Sequence, residues 1–458
     1  MEPVATYQGR VGGLQLTPSQ ILVLWFAGMV VVGTICLSLP VASVPDRSIR
    51  VIDALFMATS AICVTGLVVK DLATDLSTTG QIMILVLFQL GGLGYMVLST
   101  IIIVLLGKKI GIKQRLVMQE ALNVLTVGGL IGLLKGILLL TVVAEGIGAV
   151  LLAMRFSAEF PWPRAAYLGL FHAVSAFNNA GFSLFPTSLV AYQRDWVVNL
   201  LVTILAITGG IGFIVYRDLI RFAKREIYRL TVHTWMVLSL TAGLIVGGTL
   251  VFWALESGNP KTLGSLPLTD QLMVSYFHAV TARTLGFNTI DIGASGGATL
   301  YFLVLLMFIG ASPGGTGGGI KTSTFGTMLV GLWAGILGRS DVTAFHRRIP
   351  QETVIRAFSV ALLAFALTTG VTLFLQVSER QDFLRTLFEV ASAFGTVGLS
   401  TGDGGVLSFA ALFTDFGKLM LILTMLIGRI GPLTVGVALI RLEETRRFRY
   451  PPERVLIG

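Results

Sequence analysis

Four short stretches of this chain repeat one pattern around a glycine, and the chemistry open to them is that of main-chain carbonyl oxygens. Ser60-Ala61-Ile62-Cys63-Val64-Thr65-Gly66-Leu67 aligns with Ser175-Ala176-Phe177-Asn178-Asn179-Ala180-Gly181-Phe182 and with Ser392-Ala393-Phe394-Gly395-Thr396-Val397-Gly398-Leu399. Thr281-Ala282-Arg283-Thr284-Leu285-Gly286-Phe287 is the same unit, one residue shorter. A glycine adopts backbone angles that turn neighbouring carbonyls toward a common axis without a side-chain clash. Rings of such carbonyls replace the hydration shell of a cation. The candidate ion-binding residues are therefore Val64, Thr65 and Gly66, Asn179, Ala180 and Gly181, Thr284, Leu285 and Gly286, and Thr396, Val397 and Gly398. None of these units contains a carboxylate. Divalent cations usually recruit one, so the expected ion is monovalent and weakly hydrated. The reading requires the four glycines to share one central line.

A second glycine-rich element breaks this regularity. Gly310-Ala311-Ser312-Pro313-Gly314-Gly315-Thr316-Gly317-Gly318-Gly319-Ile320-Lys321-Thr322 lies inside an apolar segment, Leu300 to Leu337, too long for one straight helix. Proline and clustered glycines must interrupt that helix. A phosphate-binding loop needs glycine directly before lysine and a strand before the loop; here Ile320 intervenes and no strand is expected. Broken helices inside membranes instead mark ion paths. Lys321 would bring a positive charge near such a path. Arg429, in Gly428-Arg429-Ile430-Gly431-Pro432, is another charge at depth, read either as functional or as a structural pair or snorkelling side chain.

Other chemistries find little support. His172, His233, His278 and His346 form no paired metal-ligand spacing, and Cys36 and Cys63 form no CxxC pair. A multispan membrane enzyme would need clustered acids, histidines or cysteines, whereas Glu145 and Glu389 are scattered. Lys135 reads as a snorkelling residue. Arg283 and Glu389 flank the glycine units and are read first as fixing the half-helices and second as affecting ion entry.

Those elements must be membrane helices. The chain has 458 residues, of which 54% are hydrophobic and only 12% charged, with mean hydropathy +0.84; a soluble domain carries about twice that charged fraction. Eight apolar segments approach the roughly 20 residues that span a bilayer: Ile21–Leu39, Gln81–Leu106, Leu125–Leu152, Val197–Tyr216, Thr234–Leu255, Leu300–Leu337, Val354–Leu375 and Gly417–Ile440. The first is longer than a signal-peptide core and reads as a span. Between the members of each pair lies a stretch too short to cross: Asp53–Cys63, Ala165–Asn178, Asp270–Arg283 and Phe383–Gly395. These read as re-entrant half-helices whose partly negative C-terminal ends favour a cation.

The net charge of +9 would suggest nucleic acid in a soluble protein. Here the basic residues gather in alternate loops, at Lys108, Lys109, Lys113 and Arg115, at Arg217, Arg221, Lys224, Arg225 and Arg229, at Arg339, Arg347 and Arg348, and at Arg441, Arg446, Arg447 and Arg449. That is the positive-inside pattern, with both termini cytoplasmic, and nucleic acid is not expected. The expected architecture is an all-α membrane protein with four pseudo-symmetric helix–pore loop–helix repeats around a central ion pore. The repeats are bounded at 1–115, 116–229, 230–348 and 349–440, followed by a cytoplasmic tail at 441–458.

Val64-Thr65-Gly66-Leu67, Asn179-Ala180-Gly181-Phe182, Leu285-Gly286-Phe287-Asn288 and Thr396-Val397-Gly398-Leu399 resemble the four filter loops of the Ktr/Trk/HKT superfamily of potassium transporters. The likeness runs along essentially the whole chain. Within that superfamily it is most similar to the KtrB subunits, since no room exists for an extra helical pair before the first repeat, and the tail Phe448–Arg454 is KtrB-like as well. Leu285 departs from the family, where alanine is common. The resemblance implies potassium at the filter carbonyls, because a serine in place of the first glycine goes with sodium permeability and Gly66 is present. It implies a gate built from Gly310, Pro313, Gly314, Gly315, Thr316, Gly317, Gly318, Gly319, Lys321 and Arg429. It further implies a homodimer in the cell (inner) membrane, a cytoplasmic nucleotide-binding RCK subunit of the KtrA/TrkA type, no covalent cofactor, and Na⁺ as a candidate activator. The competing transport reading is a Na⁺- or H⁺-coupled carrier of the Trk type; that mechanism usually employs inverted repeats, whereas these four share one orientation.

Overall fold

A computed structural model of the protein describes residues 9–11, 14–45, 47–105, 130–404 and 406–439. The basic clusters at 108–115 and 441–449, the repeat boundary at 115 and the tail at 441–458 lie outside the described residues. The regular structure of the described chain is almost wholly helical. Its only strands are β1 (Gly9–Val11) paired with β2 (Leu14–Leu16) and β3 (Thr343–Ala344) paired with β4 (Arg347–Arg348).

The helices follow one order four times: a long helix, a half-helix and an interrupted second helix. The first group is α1 (Pro18–Ser38), α2 (Val51–Ile62) and α3 (Thr78–Leu105). The second is α4 (Leu130–Phe156), α5 (Trp162–Phe177), α6 (Trp196–Gly210) and α7 (Phe213–Ala223). The third is α8 (Val232–Glu256), α9 (Leu268–Thr281), α10 (Gly297–Phe308) and α11 (Thr322–Ile336). The fourth is α12 (Gln351–Glu379), α13 (Phe383–Gly395), α14 (Asp415–Ile430) and α15 (Pro432–Leu439).

The long leading helices are α1, α4, α8 and α12, and each is apolar and long enough to cross a membrane. They are apolar all round, and residues such as Leu24, Ile35, Val142, Val246 and Leu362 stay exposed on them, as a lipid-facing helix requires. Their starts are locally encoded. Thr17 accepts from the Gln20 amide while Gln20 reaches back to Thr17, a capping box ahead of Pro18; Thr231 caps α8 by accepting the Thr234 amide on its hydroxyl. The half-helices differ. Nearly every residue of α2, α5, α9 and α13 is buried toward its C-terminal end, so these four helices form the inner layer.

The second helices are where the structure departs from a simple span. Val197–Tyr216 and Gly417–Ile440 read as single spans, but α6 and α7 meet at 89° and α14 and α15 at 97°. Gly212 (φ 94) and Gly431 (φ 98) supply the turns, and Pro432 starts the new helix after the second. Helix α3 is interrupted at Gly94 (φ 72, ψ 165), and the third group separates α10 from α11 by the glycine-rich loop. Every second helix is thus broken at a comparable level.

The first and last groups are far apart in the chain yet packed together. Ser408 donates its amide to Val68 O (2.9 Å) and accepts the Val68 amide on its Oγ (2.8 Å). Lys418 of α14 donates to Asp53 of α2 at 2.7 Å. These contacts close the four groups into a ring.

Candidate functional site

The site begins at the C-terminal ends of the half-helices. Beyond each end the backbone turns left-handed at a non-glycine residue, Val64 (φ 57), Asn179 (φ 59), Thr284 (φ 78) and Thr396 (φ 49), and again two positions on at Gly66, Gly181, Gly286 and Gly398. Valine and threonine are rarely found there. Short-range hydrogen bonds hold the first loop in this shape: the Val64 amide donates to Ala61 O (3.0 Å) and the Thr65 amide to Ser60 O (2.7 Å). The Ala180 and Val397 amides donate likewise to Ser175 O (2.8 Å) and Ser392 O (2.9 Å). Loop amides are thereby turned back to the helices.

The four glycines meet. A side-chain carbon placed on Gly66 would stand 3.1 Å from Gly181 Cα, one on Gly181 3.0 Å from Gly286 Cα, one on Gly286 3.4 Å from Gly398 Cα, and one on Gly398 3.1 Å from Gly66 Cα. The contacts return to their starting point. Each such carbon would also press on the carbonyl before the next glycine: Ala180 O at 2.5 Å from Gly66 and Leu285 O at 3.1 Å from Gly181, with Val397 O and Thr65 O closer still to Gly286 and Gly398. Glycine is required at all four places on steric grounds as well as by its φ. The collar therefore consists of backbone, with carbonyls of Thr65, Ala180, Leu285 and Val397 beside the glycines. The Leu285 side chain is fully buried in the main apolar core, so the departure from alanine packs away from the collar.

The hydroxyl that opens each repeated unit is a clasp. Ser60 Oγ accepts from the Gly66 amide (3.1 Å) and Ser392 Oγ from the Gly398 amide (3.1 Å), while Ser175 donates to Phe182 O (2.8 Å) and Thr281 to Phe287 O (2.6 Å). The sequence marks these hydroxyls as part of the repeat without disclosing this role.

Against the Asn179, Thr284 and Thr396 side chains, one layer from the collar, lies the loop between α10 and α11. Its neck is pinched by the Gly310 amide donating to Ile320 O (2.9 Å) and the Thr322 amide to Ala311 O (3.2 Å). Gly318 donates to Thr396 Oγ1 (2.9 Å), and a side-chain carbon on Gly317 would collide with Thr284 Oγ1. Thr316 lies 3.3 Å from the Asn179 amide group, which in turn meets Thr284 Oγ1 at 2.9 Å. The Ser312 and Thr316 amides reach Gly210 O (3.0 Å) and Gly209 O (3.2 Å), and the Phe213 amide reaches Gly314 O (3.2 Å). Pro313 O lies against Gly212, and the Gly315 amide bonds to Ser312 O (3.0 Å). The Gly319 amide donates to Gly428 O (3.3 Å). Arg429 donates to Thr316 O and to Gly91 O (2.6 Å), which ties the loop to the first group too. Lys321 folds back on its own loop, donating to Gly317 O at 2.7 Å. All the expected gate residues are thus gathered in one layer that contacts all four groups.

Sequence reading missed the element that receives this loop. Gly91-Gly92-Leu93-Gly94, Gly209-Gly210-Ile211-Gly212 and Gly428-Arg429-Ile430-Gly431 are a second repeat, at the breaks of the second helices. Its first glycine lets the second helix press on the end of the half-helix: a side-chain carbon on Gly91, Gly209 or Gly428 would collide with Ile62 O, Phe177 O or Phe394 O. The recurring GxxG was the available signal, masked by high local hydropathy. Arg429 stands where the other two units carry a glycine.

The remaining polar groups at depth hold the scaffold. Glu389 is fully buried and accepts from Ser400 (2.7 Å) and the Ala410 amide (2.9 Å). His172 occupies the same place in its half-helix, three residues before the hydroxyl, bonded to Leu168 O (2.8 Å) and Ser183 Oγ (3.1 Å). Glu145 accepts from Gln89 (3.2 Å) and Asn178 (3.0 Å) at the end of α5. Among the described residues the Arg283 guanidinium meets Thr241 alone, at 3.5 Å, and Lys135 is exposed. Among the described residues no group of three His, Cys, Asp or Glu side chains could hold a metal.

Comparison with known proteins agrees along the whole chain. The family model TrkH, described as a cation transport protein, matches residues 27–450. The chain is 41% identical over 445 residues to the Ktr system potassium uptake protein B of Bacillus subtilis, covering 97% of this chain and 98% of that protein. It is 38% identical over 439 residues to the protein of the same name from Vibrio alginolyticus (96% and 94% covered), and 37% identical over 452 residues to the potassium/sodium uptake protein NtpJ of Enterococcus hirae (97% and 98%). The crystal structure of the potassium transporter TrkH from Vibrio parahaemolyticus shares the fold, with a TM-score of 0.73 over 94% of this chain and 87% of that one, at 21% identity.

Proposed function

This chain belongs to the TrkH family of cation transport proteins, and from that premise we propose that it takes up potassium through a gated, channel-like path across the cell membrane. The observation that carries the reading is the closed ring of Gly66, Gly181, Gly286 and Gly398 with a carbonyl wedged beside each glycine. Such a collar stands in for the water around an alkali ion. The half-helix ends aimed at it add negative potential. Val64, Asn179, Thr284 and Thr396 form the layer between collar and loop, and the loop from Gly310 to Lys321 is the gate, latched by Arg429.

Both termini are assigned to the cytoplasm, because the basic loops alternate along the chain. A homodimer regulated by a nucleotide-binding RCK ring fits the Ktr system to which two relatives belong by name, and the basic loops offer that ring a docking face. The name of the Enterococcus hirae relative adds sodium as a second candidate ion. A Na⁺- or H⁺-coupled carrier is the alternative; the common orientation of the four groups favours the channel-like path.

Growth rescue of potassium-uptake-deficient cells at low K⁺ tests the reading. Expression of the full chain, with and without an RCK partner, should restore growth in at least one arm. Failure in both, with the protein present in the membrane, would refute potassium uptake.

A further inference from the structure

On the face that carries Arg339 and Arg348, helices α11 and α12 part to leave a cavity of about 560 Å³. The two helices touch at one level, where a side-chain carbon on Gly331 would stand 2.8 Å from Val354 Cγ1. One turn on they have separated: nothing lies within 4 Å of the place where Gly335 would carry one. The inner wall is apolar, formed by Ala334, Val354, Phe358 and Leu362, and Leu362 is 69% exposed along the lipid-facing side of α12. The mouth is polar and basic. Arg348 pairs with Asp341 at 2.9 Å, while the Arg339 guanidinium has no partner among the described residues. Gln351 opens α12 at the same mouth, and among the described residues no side chain caps that helix, so the Gln351 and Glu352 N–H groups remain open to an acceptor. Glu352, in the same first turn, does not line the cavity.

We propose that this cavity holds an anionic phospholipid, its phosphodiester at Arg339, Arg348 and the start of α12, and an acyl chain along the apolar wall. Charge complementarity at the mouth continues into hydrocarbon along the wall. A basic mouth alone would suit any small anion and an apolar groove alone any hydrocarbon, but only a lipid satisfies both in one continuous space at the edge of a membrane domain. The inference rests on the chain spanning a membrane and is independent of which ion it carries.

The test uses the purified full-length chain and native mass spectrometry after equal exposure to phosphatidylglycerol or phosphatidylcholine. The expected result is retention of phosphatidylglycerol in preference to phosphatidylcholine. Retention should fall at least fivefold in R339Q/R348Q, and Gly335→Phe, which fills the cavity, should abolish it. Glycerol 3-phosphate, the headgroup chemistry without acyl chains, should leave thermal stability unchanged while phosphatidylglycerol raises it. Equal retention of the two lipids, or undiminished phosphatidylglycerol in R339Q/R348Q, overturns the proposal. So does stabilisation by glycerol 3-phosphate to the same extent, which would mark a small-anion site. Efficient cross-linking of two Gly335→Cys copies without lipid present would assign the space to a second copy of the chain and overturn it likewise. Should Gly335→Phe fail to fold, R339Q/R348Q decides. Ion flux enters none of these readouts, so a wrong ion assignment leaves the outcome readable.

Discussion

Arg429 donates to the carbonyl of Thr316, at the crest of the glycine-rich loop, and with the same guanidinium to Gly91 O at 2.6 Å in the break of α3. One side chain of the fourth group thus pins the loop of the third to the first. An arginine buried at such depth is costly unless its donors are satisfied, and here carbonyls freed by broken helices satisfy them.

If that guanidinium latches the loop under the collar, Arg429→Gln should favour the open state. Hydrogen bonds to a charged group contribute about 1.5–3 kcal/mol each, so loss of one shifts the closed-to-open ratio by about tenfold or more. Rubidium flux into proteoliposomes should rise accordingly, as it should on deletion of Gly314–Gly318. Unchanged or reduced flux from well-folded protein would count against the latch.

Gly66 tolerates no side chain: its φ is 91°, and an added carbon would press on Ala180 O at 2.5 Å. Gly66→Ser must therefore displace the first or second loop and loosen the collar. Its K⁺ over Na⁺ preference in competition flux should drop several-fold, and an intact preference would show that the collar does not set selectivity.

Ser60 and Ser392 hold the amides of the two glycines flanking the seam between the first and last groups. Replacing either with alanine leaves a buried N–H without a partner, at about 1–3 kcal/mol. Lower thermal stability together with weakened K⁺ preference is expected. Stability loss with selectivity intact would confine the clasp to folding.

Lys418 and Asp53 are 5% and 2% exposed and 2.7 Å apart, with Arg50 also on Asp53 at 3.0 Å. Removing Lys418 leaves the buried Asp53 with only the exposed Arg50 as counter-charge, and should destabilise by less than the roughly 3–5 kcal/mol that a fully stranded buried charge costs. Lys418→Met should therefore lower the midpoint of thermal unfolding markedly, and adding Asp53→Asn should recover much of the loss. Additive losses in the double variant would mean that the pair does not close the ring.

Much of this site was legible before the structure because its determinants are local and repeated. The hydroxyl, the small residue after it and the glycine recur in four copies, and the short apolar stretches before them are too short to span. Three features were not legible. The left-handed turns at Val64 and Thr396 contradict the preference of those residue types and exist only because the half-helix end holds them. The bends after Gly210 and Ile430 occur where an apolar window reads as a single span, and they turn on the positive φ of Gly212 and Gly431. The Lys418–Asp53 pair joins residues 365 positions apart, a contact that no local pattern records.

Potassium uptake of the kind proposed requires a carbonyl collar that binds an alkali ion, and anomalous scattering locates such an ion directly. Crystals of the full chain grown in Rb⁺ or Tl⁺ should show a peak on the axis enclosed by the carbonyls of Thr65, Ala180, Leu285 and Val397, diminished by competing K⁺ and far less by Na⁺. An axis without a peak, or one that Na⁺ depletes as readily as K⁺, would contradict it.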